Sequence, residues 1–188
     1  MVKVRGYRVE LPMLEGVLRT QPGVVEAVVL ATPTKTGDLR LSAWVQREPG
    51  ADLSGLGLRR ALTVNLPDYM VPWRVGVFDD LPRTAGGKLA RSAMPSLAGP
   101  RPDGLPPPIP LATETEAMLA RIWADLFEVD EIGREDDFLE MGGDSIDMVH
   151  VAACLYEERN VFITDSELFE HPRLADMAAA VDRSAAEG

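Results

Sequence analysis

A proline-rich stretch at residues 92–112 constrains the fold of this chain more than any other feature. It holds 7 of the 15 prolines in the 188-residue sequence. Proline fixes φ and lacks a backbone N–H, so such a run suits neither a helix interior nor a central strand. The composition is typical of an extended, semi-rigid linker between two domains. The alternative interpretation is a proline-rich loop within one domain.

The net charge changes sign at the same place. Residues 1–100 contain 13 Lys and Arg against 9 Asp and Glu, a net charge of +4. Residues 101–188 contain 6 against 21, a net charge of −15. This asymmetry favours two units with different surfaces. The acidic half should repel nucleic acid and anionic lipid, so we expect neither a nucleic acid nor a membrane as a partner.

Other features exclude further classes of protein. No apolar run in the sequence approaches the roughly 20 residues of a membrane span. The N-terminus lacks the apolar core of an export signal. The single cysteine, Cys154, excludes an intramolecular disulfide and a cysteine-rich metal site. We therefore expect a cytoplasmic protein and assign no metal ligands.

The first half of the sequence predicts a small α+β unit, in which two helices cover a small sheet. Alternation around Gly6 in VKVRGYRVEL predicts a strand pair or one bent strand. Pro12 suits the first turn of a helix through MLEGVLRT. The stretches VVEAVVLAT and LRLSAWVQRE, which PTKTGD separates, predict a hairpin. A second helix at LSGLGLRRALTVNL, a strand at WRVGVF and a turn or short hairpin at LPRTAGGKLAR follow.

The second half predicts an all-α unit, a four-helix bundle of about 75 residues. Capping boxes at TETE and TDSE open the first and third helices. A loop rich in acids and glycine at 129–144 precedes the second helix, which we expect from about Ser145 to Glu158. The last helix should start near Arg173.

Ser145, in the stretch FLEMGGDSIDMVH, stands where a nucleophile would stand, after two glycines and before an apolar helix. The nucleophile elbow of hydrolases needs Gly-x-Ser-x-Gly, but Asp147 replaces its second glycine. His150 would point about 140° away from Ser145 around the helix. His171, the other histidine, belongs to a different segment. The residues therefore argue against a Ser–His dyad.

Two interpretations of Ser145 remain open on the residues alone. Asp144 or Ser145 could cap the helix, with the glycines permitting the tight turn. Alternatively, Ser145 is a serine that another enzyme modifies, which requires exposure at a helix start but no base within this chain. The helix dipole would favour an attached phosphate there.

The stretch DDFLEMGGDSIDMVH resembles the attachment motif of peptidyl carrier proteins, the thiolation domains of nonribosomal peptide synthetases. ELFEHPRLADMAAAV resembles the closing helices of the same family. The resemblance implies that Ser145 receives a 4′-phosphopantetheine arm from coenzyme A through a phosphopantetheinyl transferase. We expect Asp144 to serve as both cap and recognition element. Ile146 and Val149 are candidate docking contacts on the second helix, with core positions as the alternative for both.

Three stretches of the first half resemble the small C-terminal subdomain of adenylation domains, the ATP-using ligases of the same synthetases. They are VKVRGYRVEL, LPDYMVP at 66–72 and LPRTAGGKLAR at 81–91. The resemblance implies that Lys88 binds carboxylate and ATP phosphate oxygens while the acyl-adenylate forms. An ammonium on a glycine-hinged loop suits that task. The loop around Gly6 would line the path of the arm during thioester formation.

The first half also departs from the family pattern. Pro12 and Met13 stand where the family usually has Gly-Glu. Gly86 replaces a usual Thr or Asn, and Ala90 replaces a common acid. The alternative function is therefore a non-catalytic small subdomain that acts as a scaffold and positions the carrier domain.

The resemblances imply an adenylation C-terminal subdomain at 1–94, a linker at 95–112 and a peptidyl carrier domain at 113–184. The sequence contains no glycine-rich phosphate loop, so we expect a fragment of a larger synthetase or the smaller chain of a split one. ATP and Mg²⁺ would bind only together with the large adenylation subdomain, which is one expected partner. Neighbouring condensation, tailoring or thioesterase domains are the others.

Overall fold

The computed structural model describes residues 1–34 and 39–187 and divides the chain into two units. The first unit comprises Met1–Leu97 with Pro102–Leu105, and the second comprises Ala98–Arg101 with Pro106–Gly188. The proline-rich stretch is thus shared between the units. The predicted hairpin turn at PTKTGD falls mostly on residues 35–38, which lie outside the described residues.

The first unit opens with an antiparallel strand pair, β1 (Val2–Val4) and β2 (Tyr7–Val9). Arg5 and Gly6 connect them with φ values of 49° and 85°. Positive φ at both central residues is the signature of a type I′ hairpin turn, whose twist matches that of the flanking strands. The strand pair is therefore confirmed, and the bent strand is wrong.

A three-stranded sheet forms the centre of the first unit. Strand β3 (Val24–Pro33) pairs antiparallel with β4 (Leu39–Arg47), which confirms the predicted strands. Strand β5 (Arg74–Phe78) pairs parallel with β4, so β4 lies between the other two. A parallel pair needs a crossover connection, which a helix supplies here.

Two α-helices pack against this sheet, as predicted. Helix α1 (Leu11–Arg19) carries a proline in its first turn, and α2 (Gly55–Asn65) begins after Ser54, whose hydroxyl accepts from the Gly57 amide at 3.1 Å. The helices bury leucines in the same core as the valines and alanines of the sheet. These leucines are Leu14, Leu18, Leu58 and Leu62. The unit is α+β.

The described part of the second unit contains four α-helices. They are α3 (Glu114–Phe127), α4 (Ser145–Arg159), α5 (Asp165–Phe169) and α6 (Leu174–Glu187). The capping box predicted at TDSE is complete. At TETE only half of it forms, because Glu116 accepts from the amide of Ala112, at 2.6 Å, one residue before the N-cap. None of the helices in the described residues has the length and apolarity to cross a membrane.

An aromatic cluster joins α3 to the loop before α4. Trp123 and Phe127 of α3 meet Phe138 of the loop edge-to-face, with ring centroids 5.0 and 5.1 Å from Phe138. All three side chains are fully buried. Aromatic pairs in this arrangement stabilise beyond the area they bury. The cluster therefore fixes where the loop approaches α3.

Two buried carboxylates pin the same loop. Asp136 accepts from Arg101 at 2.5 and 2.7 Å and from the Gly133 amide at 2.7 Å. Glu116 accepts from Arg134 at 3.0 and 3.3 Å. Bidentate arginine–carboxylate pairs constrain geometry as well as adding energy. The proline-rich stretch thus contributes Arg101 to the support of this loop.

Glu116 should make the second unit sensitive to acid. Burial raises the pKa of Glu116, but hydrogen bonds from Arg134 and the Ala112 amide, with the charge of Arg134, lower it more, to below its ordinary 4.5. A lowered pKa contributes stability that is present above the unfolded value and is lost as the pH falls through the folded value. Near neutral pH, Glu116→Gln should lower the free energy of unfolding by roughly 1–3 kcal/mol. The difference from wild type should shrink below about pH 4.5.

The measurement is the urea midpoint of α3 NMR signals as a function of pH. Glu114→Gln is the matched control, because the side chain of Glu114 in the same turn is almost fully exposed. A constant difference between Glu116→Gln and wild type across the acid range would contradict the assignment.

Candidate functional site

The turn before Ser145 is closed by its own backbone and by one carboxylate. Asp137 Oδ1 accepts from the amides of Leu139 and Glu140 at 2.8 and 3.1 Å. The Phe138 carbonyl accepts from the Gly143 amide at 2.9 Å. Because the Phe138 side chain is anchored in the aromatic cluster, the turn has a fixed position on the second unit.

Both glycines of the turn, Gly142 and Gly143, are required by the local structure. Gly142 has φ of 106°, a conformation that costs other residues energy. A Cβ on Gly143 would lie 2.3 Å from Cε1 of the Phe138 ring, far inside contact distance. The backbone at Gly143 therefore lies directly against the ring, which only glycine permits. This confirms the tight turn that the sequence predicts.

Asp144, and not Ser145, caps α4. Its Oδ1 accepts from the amides of Ile146 and Asp147 at 2.8 and 3.2 Å, and Asp147 Oδ2 accepts in return from the Asp144 amide at 3.2 Å. This is a complete capping box. Asp147 is buried. Its part in the capping box is not evident from the sequence, because the residue three positions after the cap is usually Glu or Gln.

Ser145 is the first residue of α4 and is exposed to solvent. Because Asp144 supplies the cap, the Ser145 hydroxyl is not needed to satisfy the helix terminus. Within the part of the chain that the structure describes, it has no hydrogen-bond partner. The site thus presents a hydroxyl at the positive end of a 15-residue helix dipole.

No histidine activates this serine in the described residues. His150 lies 3.6 Å from Cys154 Sγ, one turn further along α4, and His171 lies 3.5 Å from Arg183. The Cys154 thiol is no substitute, because burial and then Glu157 and Glu158 raise its pKa. A thiol with a raised pKa is a poor nucleophile near neutral pH. The Ser145 hydroxyl therefore has neither a histidine nor an activated thiol beside it among the described residues.

The face of α4 next to Ser145 is apolar and open. Ile146 and Val149 are 53% and 55% exposed, whereas Met148, Val151 and Leu155 of the same helix are fully buried. The core alternative for Ile146 and Val149 is therefore wrong. Ala152 of the same helix is half-buried.

These features fit a phosphopantetheine group. Attachment needs an accessible hydroxyl, and a phosphodiester favours a helix N-terminus. Ser145 would hold the group, while the Asp144 and Asp147 carboxylates are engaged in the capping box. Among residues 1–34 and 39–187, no cluster of three or more His, Cys, Asp or Glu side chains is arranged to hold a metal ion.

Lys88 lies on a short hairpin of the first unit. The Thr84 amide donates to the Lys88 carbonyl at 2.7 Å, the Gly87 amide donates to the Thr84 carbonyl at 2.8 Å, and Arg83 forms an antiparallel bridge with Leu89. Of the two forms that the sequence predicts, the hairpin is observed. The Lys88 side chain is exposed, and no described residue accepts a hydrogen bond from its ammonium.

An ion pair between the buried Glu15 and the half-exposed Arg91 lies at the base of this hairpin. Glu15 of α1 is 4% exposed, and its carboxylate accepts from Arg91 at 2.6 and 2.9 Å and from the Val29 amide at 3.0 Å. Burial raises the pKa of Glu15, but the bonds from Arg91 and Val29 and the charges of Arg91 and Arg19 lower it more. The bond to Glu15 also raises the pKa of Arg91.

Gly6 occupies the other hairpin of the first unit. A Cβ there would meet nothing within 4 Å, so glycine is required for its φ of 85° and not for space. The next residue, Tyr7, stacks on Tyr69 with centroids 4.1 Å apart and planes at 11°. This stack joins VKVRGYRVEL to LPDYMVP. Gly6 and Lys88 therefore lie on two different hairpins, whereas Asp144, Ser145, Ile146 and Val149 lie together on one helix end.

Two family models match the chain. The model described as phosphopantetheine attachment site matches residues 118–181, a range that includes Ser145. The model described as AMP-binding enzyme C-terminal domain matches residues 13–88, a range that ends at Lys88.

The chain is also similar to curated proteins and to a solved structure along almost its whole length. The chain is 37% identical to surfactin synthase subunit 1 of Bacillus subtilis (strain 168) over 96% of its length, and 36% identical to tyrocidine synthase 3 of Brevibacillus parabrevis over 99% of its length. It spans only 5% and 3% of the lengths of these two proteins. Holo-PA1221, described as an NRPS protein containing adenylation and PCP domains, is 25% identical with a TM-score of 0.65. That match covers 97% of this chain and 29% of the other.

Asp144→Ala should loosen the start of α4. The variant removes the acceptor of two helix amides, so we expect a loss of about 1 kcal/mol in the free energy of unfolding. Asp144→Asn retains an acceptor oxygen and should lose less. Urea unfolding and amide exchange at Ile146 and Asp147 measure both effects. Equal losses in the two variants would contradict the capping role.

Proposed function

Because the chain belongs to the nonribosomal peptide synthetases, as an adenylation C-terminal subdomain followed by a peptidyl carrier domain, we propose that Ser145 is the attachment residue of its carrier. Carrier domains of this kind bear 4′-phosphopantetheine. The observation that carries the proposal is the exposed Ser145 hydroxyl, which Asp144 frees from capping and which no base among the described residues activates. We assign the carrier to 113–184, the subdomain to 1–94 and the intervening linker to 95–112.

When bound, the group supplies a thiol that carries an aminoacyl or acyl group as a thioester. The work of this chain is to anchor and present that thiol. Ser145 Oγ provides the covalent bond, and the N-terminal dipole of α4 favours the negative charge of the phosphate beside it. Tethering raises the effective concentration of the cargo at each active site that the arm reaches.

Lys88 is proposed to serve adenylate formation. Its ammonium is exposed and available on a hairpin whose base is pinned, which suits neutralisation of charge on carboxylate and phosphate oxygens. ATP and Mg²⁺ use is a property of the AMP-binding family. In this proposal both bind with the large adenylation subdomain, which the remainder of the synthetase supplies. The loop at Gly6 would line the path of the arm in the thioester-forming arrangement.

The exposed pair Ile146 and Val149 supports a docking face beside the attachment residue. A phosphopantetheinyl transferase and the neighbouring condensation, tailoring or thioesterase domains would bind there in turn. We propose that α3 to α6 pack as the four-helix bundle of a carrier and that the protein works in the cytoplasm, where coenzyme A and ATP are available.

The second candidate function is a scaffold in which Lys88 is inert, which the departures at Pro12, Met13 and Ala90 favour.

Incubation with coenzyme A and a broad-specificity transferase should add the mass of one phosphopantetheine to the chain. Ser145→Ala should abolish the gain, because the acceptor oxygen is absent. Ser166→Ala is the matched control, since Ser166 is another exposed serine in the first turn of a helix. Intact mass spectrometry measures the outcome. A gain that survives Ser145→Ala, or no gain in wild type, would refute the assignment.

Lys88→Ala in the complete synthetase should lower acyl-adenylate formation about 100-fold, the usual effect of removing one donor to developing charge. Pyrophosphate exchange measures this step. Arm attachment to Ser145 should be unchanged, because it does not use Lys88. Unchanged adenylate formation would favour the scaffold function instead.

A further inference from the structure

The Lys88 hairpin has little support of its own. Residues 83–88 are all exposed, so no packing holds the tip in place. Its position depends on the residues at its base, where the Ala90 amide donates to the Pro82 carbonyl at 2.8 Å. Arg91 follows at once, three residues after Lys88, and begins a short 3-10 helix (Arg91–Ala93).

The base of the hairpin is bound to Glu15, whose position in the unit is fixed. It lies in α1 between the core residues Leu14 and Leu18, and its Oε1 also accepts from the Val29 amide of β3. The carboxylate is therefore held by both a helix and the central sheet. Because Arg91 binds it through two parallel N–H···O bonds, the pair fixes direction as well as distance.

Two hydrogen bonds from Arg83 act closer to the tip of the hairpin. Arg83 Nη1 donates to the Gly87 carbonyl at 3.1 Å, immediately before Lys88, and Nη2 donates to Gln46 of β4 at 3.3 Å. Leu81 and Leu89 pack with Trp44 and Val28 below the hairpin. These contacts hold the strands of the hairpin together. At the base of the hairpin, Arg91 is bound by the buried carboxylate of Glu15.

We propose that Glu15 and Arg91 are positioning residues for Lys88, which set where its ammonium stands during adenylate formation. The inference rests on the proposed role of Lys88 and extends it to two residues 76 positions apart. Loss of Arg91 would remove both bonds at the base and leave Glu15 buried without its partner. The hairpin tip would then shift, and misplacement by about 1 Å can cost about 100-fold in rate.

The test compares four variants of the complete synthetase by pyrophosphate exchange: Lys88→Ala, Arg91→Ala, Arg91→Lys and the double variant Lys88→Ala with Arg91→Ala. We expect Arg91→Ala to lower adenylate formation about 10- to 100-fold. Arg91→Lys, which retains the charge but not the fork, should lose less. The double variant should be no slower than Lys88→Ala, because Arg91 acts only through Lys88. Thioester formation from supplied adenylate should stay within about twofold in every variant.

Two controls separate positioning from stability. Arg47→Ala removes an exposed ion pair with Asp79 in the same unit and should leave the rate unchanged. Leu62→Ala destabilises the core of the first unit at a position away from the hairpin, so it shows how far a loss of stability alone changes the rate. Rates are measured well below the melting temperature of each variant, and Arg91→Lys replaces Arg91→Ala if the latter does not fold.

The outcomes distinguish this inference from the function on which it rests. If Lys88→Ala retains adenylate formation, the proposed role of Lys88 fails and the inference fails with it. If Lys88→Ala is impaired but Arg91→Ala behaves like Arg47→Ala or Leu62→Ala, only the inference is overturned. Additive losses in the double variant would also overturn it, since Arg91 would then act independently of Lys88.

Discussion

The burial of Phe138 between Trp123 and Phe127 is the constraint on which the presentation of Ser145 depends. The ring anchors a turn whose backbone at Gly143 lies against it. The direction in which α4 begins follows from that contact. Asp144 then completes the helix terminus, and Ser145 is left at the surface with its hydroxyl unused.

Both candidate sites follow one physical logic. The group proposed to act is exposed, and a buried carboxylate bound to an arginine fixes the segment that carries it. In the first unit Glu15 and Arg91 serve Lys88, and in the second Asp136 and Arg101 support the loop before Ser145. Removing the arginine would leave a buried carboxylate without its ion-pair partner, which is costly. Exposure keeps the active group accessible, and the buried carboxylate holds the segment that carries it.

Local signals in the sequence predict much of this molecule. Pro12 marks the first turn of α1, and alternation marks the strand pair β3–β4. The pattern at Gly6 leaves a strand pair and a bent strand open, because only the φ values at Arg5 and Gly6 distinguish them. The motif around Ser145 predicts an attachment residue from adjacent residues alone. These features depend on neighbours within a few positions, which periodicity and capping patterns capture.

Long-range contacts could not be predicted in the same way. The Glu15–Arg91 pair and the parallel β4–β5 pairing join residues far apart in sequence, and no local pattern encodes them. The Glu116 carboxylate accepts from the amide of Ala112 and not from the amide of Thr113, the N-cap of its helix. The preceding chain turns the Ala112 amide toward this carboxylate. Arg101 was assigned to a linker, yet it binds Asp136. Each case is one in which tertiary contact outweighs local preference.

Ser145 is proposed to be an exposed anchor that a separate enzyme modifies. Peptide mapping by tandem mass spectrometry after reaction with coenzyme A and a transferase tests it most directly. Trypsin cleavage after Arg134 and Arg159 isolates residues 135–159, which contain Ser145 as their only serine. We expect a phosphopantetheine adduct on Ser145 of this peptide and on no other residue. An adduct on a different peptide, or an unmodified 135–159 peptide, would contradict it.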